Sequence, residues 1–309
     1  MMLLRFAQRH LSKSKGALMS LVLEPQAGAS GKGLSSASFG VALVGSAMFA
    51  TVATSEHALS PNEWRSFRVT SNEFLTHDTR KIRLEFPEPE QTSGMTTASF
   101  ILTRANLNGK PVVRPYTPTS ANSEKGYMEL IVKGYPTGAM SKYLVELKEG
   151  DSVDVKGPNV KFTYKPNSRK HIAMVAGGSG ITPMLQVALE ILRNPEDNTD
   201  VTIIFGNKTE EDIILRDELS SYEAIYPGLK VVHVLSEPSE SWTGYKGFIN
   251  EEILKEYLPG PSVENLVLVC GPPSMMHSIS GGKAKDYSQG QVEGILKNLN
   301  YTSEMVFKF

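Results

Sequence analysis

From His171 to Ala176 the chain reads His-Ile-Ala-Met-Val-Ala and runs straight into Gly177-Gly-Ser-Gly-Ile-Thr-Pro183, and no other feature restricts the fold as much. A strand apolar at consecutive positions has to be covered on both faces, a requirement that parallel sheets meet and half-wet antiparallel sheets do not. Leu185, Val187, Ala188, Ile191 and Leu192 then recur at helical spacing, with Thr182 placed as N-cap, Pro183 as first helical residue and Asn194-Pro195 as the stop. Strands at 201–205, 229–235 and 266–270 alternate with helices near 210–222, 251–257 and 291–299. The alternation predicts an α/β domain over residues 166–309, a parallel sheet with helices on both faces.

Ahead of Lys165-Pro166-Asn167 the texture is different. Lys81-Ile-Arg-Leu-Glu-Phe86 alternates polar and apolar, the period of a strand with one wet face. Strands at 99–103, 128–133 and 152–155 follow, separated by Gly, Pro, Asn and Ser clusters, and a brief helix is expected from Ser141 to Leu147. Short strands at this spacing predict an antiparallel β-barrel over residues 60–165.

The amino-terminal part reads as an address. Residues 1–33 hold Arg5, Arg9, Lys13, Lys15 and Lys32 against Glu24 alone, a net of +4, which leaves −5 for the rest of a chain whose formal charge is −1. Basic, Ser- and Ala-rich and poor in acids, the segment has the character of a mitochondrial presequence. From Gly33 to Ser55 there is no charge at all. As a helix these residues would reach roughly 34 Å, enough for a hydrocarbon core of about 30 Å. A transmembrane helix over 34–55 is the expectation, with a small-residue linker behind a cleaved presequence as the alternative. The expected location is the mitochondrial outer membrane, with a processed form in the intermembrane space. The near-zero net charge offers no field for nucleic acid. The single cysteine, Cys270, excludes an internal disulfide framework and a cysteine-based metal cluster; no metal site is expected.

Four short stretches carry the chemistry, and each has a plain structural reading beside the functional one. Gly177–Pro183 follows a strand and opens a helix, so its glycines let backbone approach a pyrophosphate that the helix start attracts; equally, it is a tight connection. Cys270-Gly-Pro-Pro273 also lies at a strand end, where the thiol can flank a nicotinamide ring or simply be a small buried residue. Arg114-Pro-Tyr-Thr117 offers a guanidinium for phosphate, a tyrosine to stack and a threonine hydroxyl. Gly138-Ala-Met-Ser141 presents amides and a hydroxyl at a helix start, or is an ordinary capped helix. Taken together and in this order, they point to a flavin enzyme that accepts hydride from a pyridine nucleotide.

That combination resembles the NADH–cytochrome b5 reductase family, within the ferredoxin-reductase-like flavoproteins. The resemblance runs from about Trp64 to the end and includes His77-Asp-Thr-Arg80, Val112-Val-Arg-Pro-Tyr-Thr-Pro118, Gly157-Pro158, Phe205-Gly-Asn-Lys-Thr209, Asp212-Ile-Ile-Leu-Arg216 and Cys270-Gly-Pro-Pro273. The ending, Asn300-Tyr301 and Val306-Phe-Lys-Phe309, is similar to the fungal mitochondrial form. The resemblance implies FAD and NADH as cofactors. By it, Arg114, Pro115, Tyr116 and Thr117 hold the flavin, Ile131 and Lys133 line its side, and Gly138, Met140 and Ser141 bind its pyrophosphate. Thr182 stands near the reactive edge, Gly177, Gly178, Gly180 and Pro183 take the dinucleotide, and Cys270 with Gly271 and Pro272 flanks the nicotinamide. Asn207 and Asp212 fall near the adenosine. Where the family often has Gly-Lys-Met-Ser, Ala139 stands here, so one cation near the flavin phosphate is missing.

A carboxylate at Asp212 would repel a 2′-phosphate and favour NADH; its plain reading is a first-turn acid. The resemblance implies a cytochrome b5-like haem protein as electron acceptor, docking on lysines, for which Lys110, Lys142, Lys161 and Lys170 are candidates or merely solvated side chains. A monomer is expected. The competing readings are a same-fold NADH reductase for quinones or ferric chelates, and a non-catalytic, membrane-tethered nucleotide-binding scaffold.

Overall fold

A computed structural model describes residues 56–309, and the expected presequence and transmembrane helix lie outside those described residues. Among the described residues no helix is long and apolar enough to cross a membrane. Two sheets of six strands each carry the architecture.

The first sheet is built from β1 (Arg65–Phe74), β2 (Thr79–Glu85), β3 (Ser99–Leu107), β4 (Lys110–Tyr116), β5 (Tyr127–Lys133) and β6 (Ser152–Val160) in the order β4-β3-β6-β1-β2-β5. Every neighbouring pair is antiparallel. Just past β4, Pro118 bridges Leu130 of β5 and the Thr119 amide donates to the Glu129 carbonyl, which draws the two edges together into a barrel. Phe67, Val69, Ile82, Leu84, Ile101, Met128, Leu130 and Val155 fill its core. Helix α1 (Ala139–Glu146) adds Met140 and Leu144 to that core. The expected strands are present but longer. β1 and β4 were not separately expected: β4 buries none of its side chains fully, whereas β1 alternates only over Ser66–Val69, with Phe67 and Val69 buried, before running out to the exposed Phe74.

The second sheet joins β7 (His171–Gly177), β8 (Asp200–Asn207), β9 (Leu229–Leu235), β10 (Tyr245–Lys246), β11 (Asn265–Cys270) and β12 (Val306–Lys308) in the order β10-β9-β8-β7-β11-β12, all parallel. Alternate residues of β7 serve different layers. Ile172, Met174 and Ala176 pack with Leu185, Ala188 and Leu219, from α2 (Ile181–Arg193) and α3 (Arg216–Ile225). Ala173 and Val175 pack on the other face with Leu254, Ile279 and Leu296, from α4 (Glu251–Tyr257), α5 (Pro273–Ile279) and α6 (Gly294–Asn298). This is why the strand had to be apolar throughout, its Ile172, Met174 and Val175 side chains contributing about 1.5–3 kcal/mol each and its alanines less.

Three local expectations are corrected. Thr182 is not an N-cap: Gly178–Gly180 wind as a 3₁₀ turn that runs directly into α2, so Thr182 lies inside the helix, its hydroxyl donating to the Ser179 carbonyl at 3.2 Å. The helix expected over 210–222 breaks in two, a 3₁₀ turn Glu210–Asp212 and α3, because Leu215 takes a left-handed φ of 57°. The last helix is shorter than expected, and α5, β10 and β12 were not foreseen.

Candidate active site

Chain order and spatial order part company between β7 and β11. The chain adds β8 and β9 on one side of β7 and then crosses back to lay β11 on the other, and at such a switch the loops leave a crevice beyond the carboxyl ends of the strands. Cys270 pairs with Ala176 in register, so Gly177–Gly180 and Cys270–Pro273 stand side by side at its mouth. The approach is close. A Cβ on Gly177 would lie 2.8 Å from both Met275 Sδ and Pro272 Cδ, and one on Gly180 would be driven into the Cys270 carbonyl.

The barrel closes the crevice from the other side, leaving a cavity of about 920 Å³. Its walls include Arg114, Pro115, Tyr116 and Thr117 at the end of β4, Ile131 and Lys133 on β5, and Gly138, Met140 and Ser141 at the start of α1. From the sheet come Gly177, Gly180, Thr182, Pro183, Cys270, Gly271 and Pro272. An adjoining cavity of about 580 Å³ takes in Gly178, Asn207, Asp212, Ser236, Glu237 and the 82 % exposed Phe248. Lys133, Tyr135, Gly177 and Pro272 line both, so the two form one trough across the sheet edge.

The chemistry of the lining is one-sided. Arg114, Lys133, Lys161 and Lys283 line the larger cavity and no Asp or Glu side chain does. At α1 the first turn holds no acid, a Cβ on Gly138 would strike Ser141 Oγ, and the Ser141 hydroxyl donates to the Gly138 carbonyl at 3.0 Å while accepting from the Tyr135 amide. Glycine is therefore required for the tight cradle at that helix start, where free amides favour an anion. Burial pushes the Tyr116 hydroxyl up to about 12, keeping it a neutral hydrogen-bond donor. Burial likewise pushes the Cys270 thiol up to about 11 against the opposing field of Lys283, so the sulfur faces the cavity uncharged. Asn207 Nδ2, on the second cavity, is buried without a hydrogen-bond partner, a donor that a ligand there would satisfy.

A cluster that the sequence did not suggest ties the two halves. Lys133 Nζ lies 2.7 Å from Asp78 Oδ2 in the barrel and 2.8 Å from Asp212 Oδ1 in the sheet domain. Burial alone would lower the lysine's pKa; the two carboxylates more than reverse that, and Lys133 in turn holds both acids below the usual carboxylate range despite their own burial. Asp212 Oδ2 accepts from the Thr209 amide and hydroxyl, each at 3.1 Å. Both oxygens are thus engaged, so Asp212 ties the two domains from a position that also lines the second cavity. On the same cavity Glu237 has no ion-pair partner among the described residues. His77, Asp78 and Asp212 bring ligand-type atoms within 4.8 Å of one another, but the Lys133 ammonium already supplies the positive charge between the carboxylates. Tyr135, also unforeseen, spans the gap with its hydroxyl 2.9 Å from Ser179 Oγ.

Of the four lysines considered for docking, Lys161 alone lines the cavity. Lys170 is corrected: it precedes β7, at the opposite end of the strands from the crevice, and pairs with Glu264 at 2.8 Å.

Residues 66–164 match the family model for an oxidoreductase FAD-binding domain and residues 174–281 that for an oxidoreductase NAD-binding domain. The chain is 48 % identical over 258 residues to an NADH-cytochrome b5 reductase-like protein of Arabidopsis thaliana, covering 82 % of this chain and 78 % of the relative. It is 47 % identical over 250 residues to NADH-cytochrome b5 reductase 2 of Emericella nidulans, covering 80 % and 78 %. Among solved structures it is similar to the cytochrome b5 reductase domain of Ulva prolifera nitrate reductase, with a TM-score of 0.72 and 30 % identity over 82 % of this chain and all of that one.

Proposed function

The chain belongs to the NADH–cytochrome b5 reductase family, and from that premise we propose that its cavity is the site of an FAD-dependent reductase that takes hydride from NADH and passes electrons singly to cytochrome b5 or a similar haem protein. One observation carries the reading: the FAD-type barrel and the NAD-type sheet share a single trough at the strand switch point, whose larger cavity is lined by cations and by no acid.

Bound FAD supplies the redox chemistry, accepting two electrons together and releasing them one at a time. The residues present fit it. Arg114 and the free amides of α1, with Ser141, suit its phosphates, and the missing cation at Ala139 leaves that neutralisation to them. Pro115, Tyr116, Thr117 and Ile131 offer a largely apolar wall for a ring system. Gly177–Gly180 and Cys270–Pro272 would hold the nicotinamide dinucleotide on the sheet side of the same cavity. The steric limits at Gly177 and Gly180 fix their spacing, which matters because reacting atoms have to meet at about 3–3.5 Å. The uncharged Cys270 thiol and Pro272 help keep water off that contact. Asn207 and Gly178 suit the adenosine side, and the unpaired Glu237 opposes a 2′-phosphate, which supports NADH over NADPH.

The finer assignments belong to the same proposal. A basic, acid-poor leader followed by 23 uncharged residues supports an anchor over 34–55 in the mitochondrial outer membrane, with a processed form in the intermembrane space. The domain limits 60–165 and 166–309 and a monomeric state complete it.

An absorbance spectrum of the purified protein tests the core of the reading. A flavin spectrum that bleaches on anaerobic NADH is expected; absence of flavin after FAD is added would point to the scaffold. A panel of cytochrome b5, a quinone and a ferric chelate then ranks the acceptors, with the haem protein expected first.

A further inference from the structure

Three of the four cations on the larger cavity have an evident occupation. Lys133 is paired with Asp78 and Asp212. Arg114, assigned above to the flavin phosphates, donates to the Val113 carbonyl at 2.7 Å. Lys161 lies over the Phe100 ring, 4.6 Å from its centroid. Lys283 has no carboxylate partner among the described residues, although it is half-buried. It lines the same cavity as Cys270–Pro273, is absent from the second cavity, and stands close enough to Cys270 for its charge to act on the thiol.

Lys283 is not on a loose loop. The segment between α5 and α6 is laced to β12. The fully buried Lys308 Nζ donates to the Gly282 and Gln291 carbonyls, at 3.0 and 2.7 Å. The Gln289 side chain makes two bonds with the Lys308 backbone, accepting from its amide at 2.6 Å and donating to its carbonyl at 3.0 Å. Gly290, with φ of 64°, packs so tightly that a Cβ would meet Gly282 O and Ala284 N at 3.1 Å. The backbone that carries Lys283 is therefore held in place beside the cavity. Burial, then the fields of Lys161 and Lys308, lower its pKa, and the thiol of Cys270 acts in the opposite sense.

We infer that Lys283 is a specificity-determining residue that makes the cleft favour the reduced dinucleotide over its oxidised product. The inference rests on the placement of the nicotinamide beside Cys270 given above. Reduced nicotinamide carries no ring charge, whereas the oxidised ring is a cation. An ammonium lining the same cavity raises the free energy of the cation only, and no acid side chain of that lining offsets it. For unit charges at a partly shielded site the effect is on the order of tenfold in affinity. Product then leaves a pocket that repels it, while the incoming substrate is unaffected.

The test measures binding to oxidised, FAD-loaded protein by titration calorimetry. The two ligands are NAD⁺ and its non-reactive tetrahydro analogue, whose ring is uncharged. Lys283→Gln and Lys283→Met are each expected to tighten NAD⁺ about fivefold to tenfold and to leave the analogue within about twofold; Lys283→Arg is expected to keep the wild-type ratio. If both neutral variants keep FAD and the wild-type Tm yet the NAD⁺-to-analogue ratio moves by less than twofold, the inference is wrong. Failure of the wild-type protein to bind either dinucleotide would instead overturn the placement of the nicotinamide, and the proposed function with it.

Discussion

Gly180→Ala sets two effects of opposite sign against each other. Gly180 has φ of −63° and ψ of −7°, ordinary helical values, so alanine meets no torsional objection. At an open helical position the exchange would stabilise the fold by about 0.5–1 kcal/mol through propensity and reduced freedom of the unfolded chain. Here the new Cβ would lie 2.6 Å from the Cys270 carbonyl carbon and 3.0 Å from the Gly271 amide nitrogen, with the Cys270 oxygen closer still. All three are backbone atoms at the end of a central strand, so no side chain can swing away. The turn and the strand end have to part by about 1 Å, an overpacking of at least about 3 kcal/mol, at the upper end of the usual range. The net loss is about 2–3 kcal/mol, or roughly 4–12 °C in Tm at about 2–4 °C per kcal/mol. A displacement of that size where two rings have to meet is worth roughly 10²-fold in rate. Differential scanning calorimetry and kcat/KM for NADH with ferricyanide give the two readings. Gly260→Ala, where nothing lies within 4 Å, is the control and is expected to be neutral. A Gly180→Ala protein as stable and as active as wild type would refute the reasoning that this glycine is kept for close approach.

Asp212→Asn is expected to destabilise by about 2–3 kcal/mol in urea unfolding, because it leaves half-buried Lys133 with one carboxylate instead of two; the NADH-to-NADPH ratio should stay unchanged, and a shifted ratio would restore the ribose role. The contribution of this cluster should be flat from about pH 5 to 9. The two acids, with lowered pKa values, stabilise fully above the ordinary carboxylate range and lose this only as pH falls through their folded values, whereas Lys133, with a raised value, keeps its share until pH rises past the ordinary lysine range. Comparing wild type with an Asp78→Asn, Lys133→Met, Asp212→Asn variant across that window checks it, and a change above about 1 kcal/mol would count against it. Cys270, pushed up to about 11, should alkylate with iodoacetamide about 100-fold more slowly at pH 8 than a thiol with the ordinary value of 9.0; fast labelling would mean an exposed thiolate. Ala139→Lys should slow FAD release severalfold by adding a cation at the α1 cradle, read as flavin fluorescence on dilution, and an unchanged release rate would show that the amides already suffice.

Local pattern fixed the two sheets and left the wiring open. The apolar run of β7 could only be covered on both faces, and its alternate residues do serve two helical layers. The alternation in β2 could only mean one wet face, and Ile82 and Leu84 point into the barrel core. Periodicity and glycine placement act within a few residues, so they survive in the sequence as read. Even the 3₁₀ winding of Gly178–Gly180 escaped that reading, since Thr182-Pro183 has the composition of a helix start whether or not the turn before it is already helical. Long-range partners leave no such trace. Lys133 and Asp212 stand 79 residues apart and meet because a barrel strand and a sheet loop are packed together. The sequence placed Asp212 near a ribose but gave no sign of the tie it makes to Lys133. Lys283 belongs to no motif in the sequence; it lines the cavity in a segment that Lys308 and Gln289 lace to β12. Which elements exist was settled by short-range covalent and hydrophobic logic, while which charges face one another was settled by packing, because electrostatic contacts depend on distance in space and not along the chain.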